Sequence, residues 1–311
     1  MEERLERFQM FERASGLYRR FVMRQAEQLG LDNRMRLARS INRRRYARQI
    51  AYRQSLLSSP QYLDYTAGVE ALPLNDGWCT PGAALSFAKH PVAADAKAIL
   101  AEERDPTSLK GFMVNHLRKQ DLSTYPSFIE AALHPVVLKT AADYLGMYPV
   151  LSSVKLLVSS PSNYDHLSAS QLFHLDHADL PLLKMIINIG AVTKDSVPFC
   201  FLPASTSSAA KRALRYGKRG VNYRVDDETI YHIVDRSSLV ELSGPPGDVA
   251  LIDTSRCFHY GSRNASQERR ILMYSFSTPA RTDLRKPIDY SATVPCQSLL
   301  QEALLNPFLS D

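Results

Sequence analysis

The sequence predicts a mainly β fold with flanking helices, an antiparallel sandwich or barrel. Short apolar or alternating runs follow one another through the second half: "SVKLLVSS", "QLFHLDH", "LKMIINIGAV", "PFCFLPAS", "VNYRV", "DVALIDT" and "RRILMYSFS". Turn-rich or charged stretches separate them, as expected of short strands. No long helical pattern recurs regularly between them, and parallel strands would need such crossovers. With 311 residues and 45 % hydrophobic content, the chain can bury the core of one large domain with an appendage.

The appendage comes first. Residues 1–58 carry 14 arginines, no lysine and 6 acids, a net charge of +8 in a chain whose total is +6. Leu5, Phe8, Phe11, Tyr18, Phe21 and Val22 recur at helical spacing, and Asp32 or Asn33 then offers a cap for "RMRLARSINRRRYARQIAYRQ". Such a basic helix suits a solvated face, a subunit contact or an anionic membrane surface. Nucleic acid is not expected, because the arginines come without zinc-finger or RNP spacing.

After "SLLSSPQYLDY" the Gly and Pro of "LNDGWCTPGAALSFA" mark the start of a second unit, over 59–311. "YPSFIEAALHPVVLKTAADYLG" reads as helical, with a break or kink at Pro135 and Gly146 as C-terminal cap. The tail "SLLQEALLNPFLS" reads as a helix docking back. The N-terminus lacks an apolar secretory core, no run of about 18 apolar residues could span a bilayer, and the four cysteines lack CxxC spacing. A cytoplasmic location is the expectation, with a membrane-peripheral placement left open by the basic helix.

The stretch "QLFHLDHADLP", residues 171–181, carries the chemistry. On a strand, residues two apart point to one side, so His174 and Asp176 share a face while Leu175 and His177 take the other. A histidine nitrogen and a carboxylate oxygen, completed by a distant second histidine, form the 2-His-1-carboxylate triad that leaves positions open on Fe(II) for O2 chemistry. The bland alternative is a polar strand end making ordinary hydrogen bonds. Downstream, "GPPGDVALIDTSRCFHYGSRNASQERRILMYSFS" delivers Asp248 into a strand and His259 just after it. Arg270, eleven residues later, shares the parity of Leu272 and Tyr274 and, if inward, wants an anion. Taken singly, His259 suits a structural role and Arg270 an exposed strand start.

Together, "HPVVLKTAADYLGMYPVLSSVKLL", "HLDHADL", "LLKMIINIGAVTKDSVPFCFLPAS" and "GDVALIDTSRCFHYGSRNASQERR" resemble the phytanoyl-CoA dioxygenase family of Fe(II)- and 2-oxoglutarate-dependent oxygenases, from about Leu138 to Thr278. The resemblance implies a double-stranded β-helix (jelly-roll, cupin-like) core behind an N-terminal helical extension. It implies His174, Asp176 and His259 as iron ligands, Arg270 as the anchor of 2-oxoglutarate, and Asn188 as a co-substrate pocket residue. It further implies hydroxylation of a small molecule by O2, with succinate and CO2 as co-products. Where the family commonly has Gly-Pro and Pro-Gly-Ser-His, this chain has Val197-Pro198 and Pro203-Ala204-Ser205-Thr206, departures that concern a loop rather than the metal. Related halogenases replace the ligand carboxylate with a small residue; this chain keeps Asp176. His177 is left as a packing residue, and Asp179 and Lys184 as candidates for the mouth. Two other functions compete: a non-catalytic jelly-roll protein binding an anionic surface or partner through the basic helix, and a metal enzyme without 2-oxoglutarate.

Overall fold

The computed structural model describes residues 29–105, 107–110 and 112–310. The helical spacing read over Leu5 to Val22 lies outside the described residues. Helices α1 (Leu31–Arg45) and α2 (Ala47–Leu56) carry the arginine-rich run and break at Tyr46. The expected cap is displaced: Gly30 holds the N-cap position, and Asp32 lies in the first turn. There its carboxylate meets Lys211 Nζ at 3.1 Å, and its N–H donates to Gly217 O at 2.9 Å. A Cβ on Gly30 would lie 2.6 Å from Gly217 O, so this close approach requires glycine.

Both helices are fastened to the rest of the chain. Asn42 Nδ2 donates to the carbonyls of Arg281 at 2.9 Å and Asp283 at 2.6 Å. Arg53 is fully buried and donates to Pro149 O at 2.9 Å and Asn306 O at 2.6 Å. Carbonyl oxygens thus engage both terminal nitrogens of this cation, its Nε stays without a partner, and burial lowers its pKa to about 10. Arg36, Arg43, Arg44 and Arg48 stay exposed on the other side.

The remaining helices are α3 (Pro60–Tyr65), α4 (Pro91–Ala101), α5 (Asp121–Thr124), α6 (Ser127–Leu133), α7 (Pro135–Leu145), α8 (Ala204–Ala213), α9 (Asp227–Tyr231) and α10 (Leu299–Leu305). Pro135 occupies the first turn of α7, where a missing N–H is harmless, so the expected break falls at His134. Gly146 ends α7 at φ 69°, the left-handed cap expected of it.

The strands are β1 (Trp78–Cys79), β2 (Thr107–Lys110), β3 (Met113–Asn115), β4 (Val150–Ser159), β5 (Leu183–Asn188), β6 (Phe199–Phe201), β7 (Val240–Leu242), β8 (Val249–Asp253), β9 (His259–Tyr260) and β10 (Arg269–Ser277). They form a seven-stranded sheet in the order β1-β8-β5-β10-β4-β3-β2 and a three-stranded sheet in the order β7-β6-β9. Every pairing is antiparallel, as the sequence predicted. Two expected strands are absent as continuous elements: "VNYRV" contributes one bridge at Val225, and "QLFHLDH" is held by bridges at Phe173 and His174.

Alternation gives the large sheet two faces with different partners. Leu183, Met185 and Ile187 of β5 and Leu272, Tyr274 and Phe276 of β10 pack with Phe128, Leu138 and Leu304 from the helices. On the opposite face Ile186, Ile252 and Ile271 meet Phe199, Phe201 and Leu242 of the small sheet. Each such side chain contributes about 1.5–3 kcal/mol on burial. The face toward the small sheet is the one that carries polar residues inward.

Candidate metal centre

Two distant segments meet edge to edge at the site. His174 N–H donates to His259 O at 3.1 Å, and His259 N–H returns a bond to His174 O at 3.0 Å. Phe173 is bridged in the same way to Val225, and Asp176 N–H donates to Thr254 O at 2.9 Å. β9 in turn pairs with β6, Phe201 opposite His259. The three side chains are therefore fixed by backbone ladders rather than by loop packing.

The imidazole centroids of His174 and His259 lie 4.3 Å apart. Nδ1 of each ring lies 2.9 Å from the carbonyl two residues back, Leu172 O and Cys257 O respectively. Donation by Nδ1 leaves the lone pair on Nε2 of both rings, the arrangement found in metal-ligating histidines. His174 Nε2 stands 4.0 Å from Asp176 Oδ1, and His259 Nε2 3.6 Å from Oδ2. One ligand atom from each residue can be chosen so that all three lie within 4.8 Å of one another.

Electrostatics keep this donor set deprotonated. Burial lowers the pKa of His174 to about 2, with neighbouring His259 adding to the effect, and burial lowers His259 to about 4. Burial pushes the Asp176 carboxyl upward, but Lys184, followed by the two histidines, outweighs it and holds the group well below the usual carboxylate range. Lys184 Nζ is 2.5 Å from Asp176 Oδ2. Two neutral nitrogens and one carboxylate at neutral pH fit a divalent transition metal that leaves part of its coordination sphere open.

A cavity of about 260 Å³ opens at the triad, with walls that include Lys155, Lys184, Phe199, Ile271 and Arg269. Phe199 stacks on His259 at 5.2 Å with 22° between the planes. Arg269 is buried; Nη1 donates to Val197 O at 2.7 Å and Nη2 to Ser262 Oγ at 2.7 Å. Its Nε is buried without a hydrogen bond, and no carboxylate among the described residues pairs with it. Burial lowers its pKa to about 10. A buried cation with an unsatisfied donor, in a cavity that ends at a metal-ready triad, fits an anionic group of a ligand spanning the two.

Two expected pocket residues lie elsewhere. Arg270 does share the parity of Leu272 and Tyr274, but that is the helix-packed face; its side chain is 51 % exposed and pairs with Glu268. Arg269, Ile271 and Met273 take the site face, so the structure does not bring Arg270 to the triad. Asn188 lies on the inner face with Lys184, yet it lines a separate cavity of about 350 Å³ with Trp78, Leu242 and Asp248. Its Nδ2 donates to Gly244 O at 3.4 Å.

His177 faces away from the triad, Nε2 3.2 Å from Tyr216 Oη, in a crevice beneath α1. Asp179 is fully buried rather than at a mouth: it accepts from Thr278 N–H at 2.6 Å, Thr278 Oγ1 at 2.9 Å and Leu180 N–H at 2.8 Å. Sequence reasoning missed Arg269 and Lys155. The second had a signal, as the one charged residue in the apolar run "SVKLLVSS".

Fold and site together define an antiparallel two-sheet protein with a metal-ready His-Asp-His centre facing a basic cavity. No family model matches the chain, and no curated protein matches it. Among solved structures it is similar to EctD from S. alaskensis with 2-oxoglutarate and 5-hydroxyectoine, at 14 % identity and a TM-score of 0.49, over 75 % of this chain and 85 % of that one. It is similar also to the epimerase SnoN in complex with Fe3+, alpha ketoglutarate and nogalamycin RO, at 16 % identity and TM-score 0.47, over 65 % and 79 % of the two chains. A third is HygX from Streptomyces hygroscopicus with nickel and 2-oxoglutarate bound, at 14 % and 0.41, over 60 % and 78 %.

Proposed function

We propose that this chain is an Fe(II)- and 2-oxoglutarate-dependent oxygenase with a jelly-roll core, hydroxylating a small molecule. The observation that carries the reading is the convergence of His174 Nε2, Asp176 and His259 Nε2 on one point in the cavity that also holds Arg269. These three residues would hold iron, and the chemistry it would supply there is O2 activation coupled to decarboxylation of 2-oxoglutarate to succinate and CO2.

The chain's own residues do the rest. As three protein ligands, His174, Asp176 and His259 would leave coordination positions open for co-substrate and O2. Arg269 takes the role that the sequence suggested for Arg270, pairing with the far carboxylate of 2-oxoglutarate and satisfying its own unpaired Nε. Lys184 holds the Asp176 carboxylate in place and ionised. Phe199 and Ile271 keep water from the co-substrate side. Retention of Asp176 favours hydroxylation over halogenation, and the ligand geometry opposes a non-catalytic role. The exposed arginines of α1 and α2 serve as a contact for an anionic membrane or a subunit.

Anaerobic addition of Fe(II) and 2-oxoglutarate tests the reading. A visible charge-transfer band from chelated co-substrate is expected, and it should vanish in His174→Ala and His259→Ala. A wild-type protein without the band, or variants that keep it, would sink the assignment.

A further inference from the structure

The triad cavity holds more positive charge than iron and 2-oxoglutarate chemistry needs. Lys184 is matched by Asp176, and Arg269 by the far carboxylate of the co-substrate on the reading above. Lys155 is left over among the cavity's lining residues, and a further cation, Arg224, stands outside that lining. Lys155 stands opposite Met273 on the sheet wall of the cavity, and no hydrogen bond or ion pair engages its ammonium among the described residues.

Arg224 is placed by register. Phe173 and Val225 exchange both backbone hydrogen bonds at 2.9 Å, and both side chains are buried in one apolar cluster. In an antiparallel bridge, residues directly opposite share a face and their chain neighbours share the other. Arg224 therefore lies across from His174, on the metal side. The side chain is half-buried, and its guanidinium makes no hydrogen bond or ion pair with any described residue.

An arginine held beside a metal centre without a counter-charge is a fork for carboxylate or phosphate oxygens. We propose that the substrate oxidised at this centre is an organic anion, a carboxylate or a phosphate ester, whose charged group pairs with Arg224 on the His174 side of the metal. The inference rests on the iron and 2-oxoglutarate reading and adds the substrate class. Lys155 supplies further positive potential from the sheet wall, which favours entry of an anion over a neutral molecule.

The test uses the anaerobic Fe(II) and 2-oxoglutarate complex of the full chain, with phenyl phosphate, benzoate and neutral benzamide as probes and the charge-transfer band as readout. In the wild type, phenyl phosphate or benzoate should perturb the band saturably and benzamide should not; the tighter of the two anions names the source of the charge. In Arg224→Gln the apparent affinity should fall at least about tenfold, with part of it restored in Arg224→Lys, while the band itself persists. Persistence of the band shows that the variants are folded and loaded. Equal responses in wild type and Arg224→Gln, no response to either anion, or an equal response to benzamide would each overturn the proposal while leaving the iron reading intact. A wild type without the band would remove both.

Discussion

Arg269 and Arg270 are neighbours in the chain and face opposite sides of the same strand. β10 pairs along its length with β4, and it pairs with β5 from Ile271 to Phe276, so its alternation is fixed from both sides. One guanidinium is sealed in the triad cavity and the other reaches solvent beside Glu268. A shift of register by one residue would exchange them, and it would also move Leu272, Tyr274 and Phe276 off the helix-packed core.

The two arginines should therefore behave differently toward 2-oxoglutarate. Arg269→Gln removes a charge-assisted pair of about 1.5–3 kcal/mol, so the dissociation constant of the co-substrate should rise about 10- to 150-fold. Arg270→Gln, an exposed position, should change it by less than about twofold. Titration of the charge-transfer band with 2-oxoglutarate measures both. Equal losses in the two variants would contradict the observed register.

How much of this was legible beforehand depends on how far each feature reaches through the chain. β10, β4 and the α7 cap at Gly146 are local patterns, and the sequence displays them. The side of β10 that faces the metal is not local: it depends on which face the helices cover, and "RR" offers a cation to either. The alternation in "HLDH" pointed to His174 and Asp176, although the structure fixes them through bridges to Thr254 and His259 rather than through a regular strand. Asn188 has the inward parity read for it but lines a cavity separate from that of the triad, because parity says nothing about position along the groove. Asp179 looked like a loop residue because its partner, Thr278, lies 99 residues away.

Metal binding should stabilise the fold measurably. The ligand atoms converge only in the native state, so a divalent ion at about a hundredfold over its dissociation constant adds about 2.7 kcal/mol. In a chain of this size that raises the melting temperature by about 4 °C. Ni(II), which does not redox-cycle readily, is the convenient probe in a thermal melt. His259→Ala should abolish the shift, whereas His177→Ala, one residue past Asp176 but facing Tyr216, should keep it.

Part of the acid sensitivity should arise at a site remote from the triad, whose own depressed histidines add to it. His90 Nδ1 accepts the N–H of Val92 at 3.1 Å and so caps α4. Burial lowers the His90 pKa, against the raising influence of Glu130 and Asp95. A group depressed on folding contributes stability that is present above its unfolded pKa of about 6.5 and lost as pH falls through the folded value. Protonated Nδ1 cannot accept the capping bond. Urea unfolding midpoints should thus decline below about pH 6.5 in the wild type, and less steeply in His90→Asn, whose side chain caps at any of these pH values. Parallel declines in the two proteins would exclude the cap as the cause.

Asp179 gives the last contrast, between a residue that serves the site and one that serves the fold. Its carboxylate is fully buried and accepts three hydrogen bonds, two from Thr278 and one from Leu180 N–H, tying the segment after the metal ligands to the end of β10. Asp179→Ala leaves those donors unsatisfied and should cost about 2–4 kcal/mol of stability. Asp179→Asn keeps a carbonyl acceptor and should cost less. Because its hydrogen bonds go to Thr278 and Leu180, neither of which lines the triad cavity, the 2-oxoglutarate affinity of the folded fraction should stay within about twofold of wild type. Denaturant unfolding and co-substrate titration on the same samples separate the outcomes: a stable Asp179→Ala protein with weakened ligand binding would return this residue to the mouth of the site.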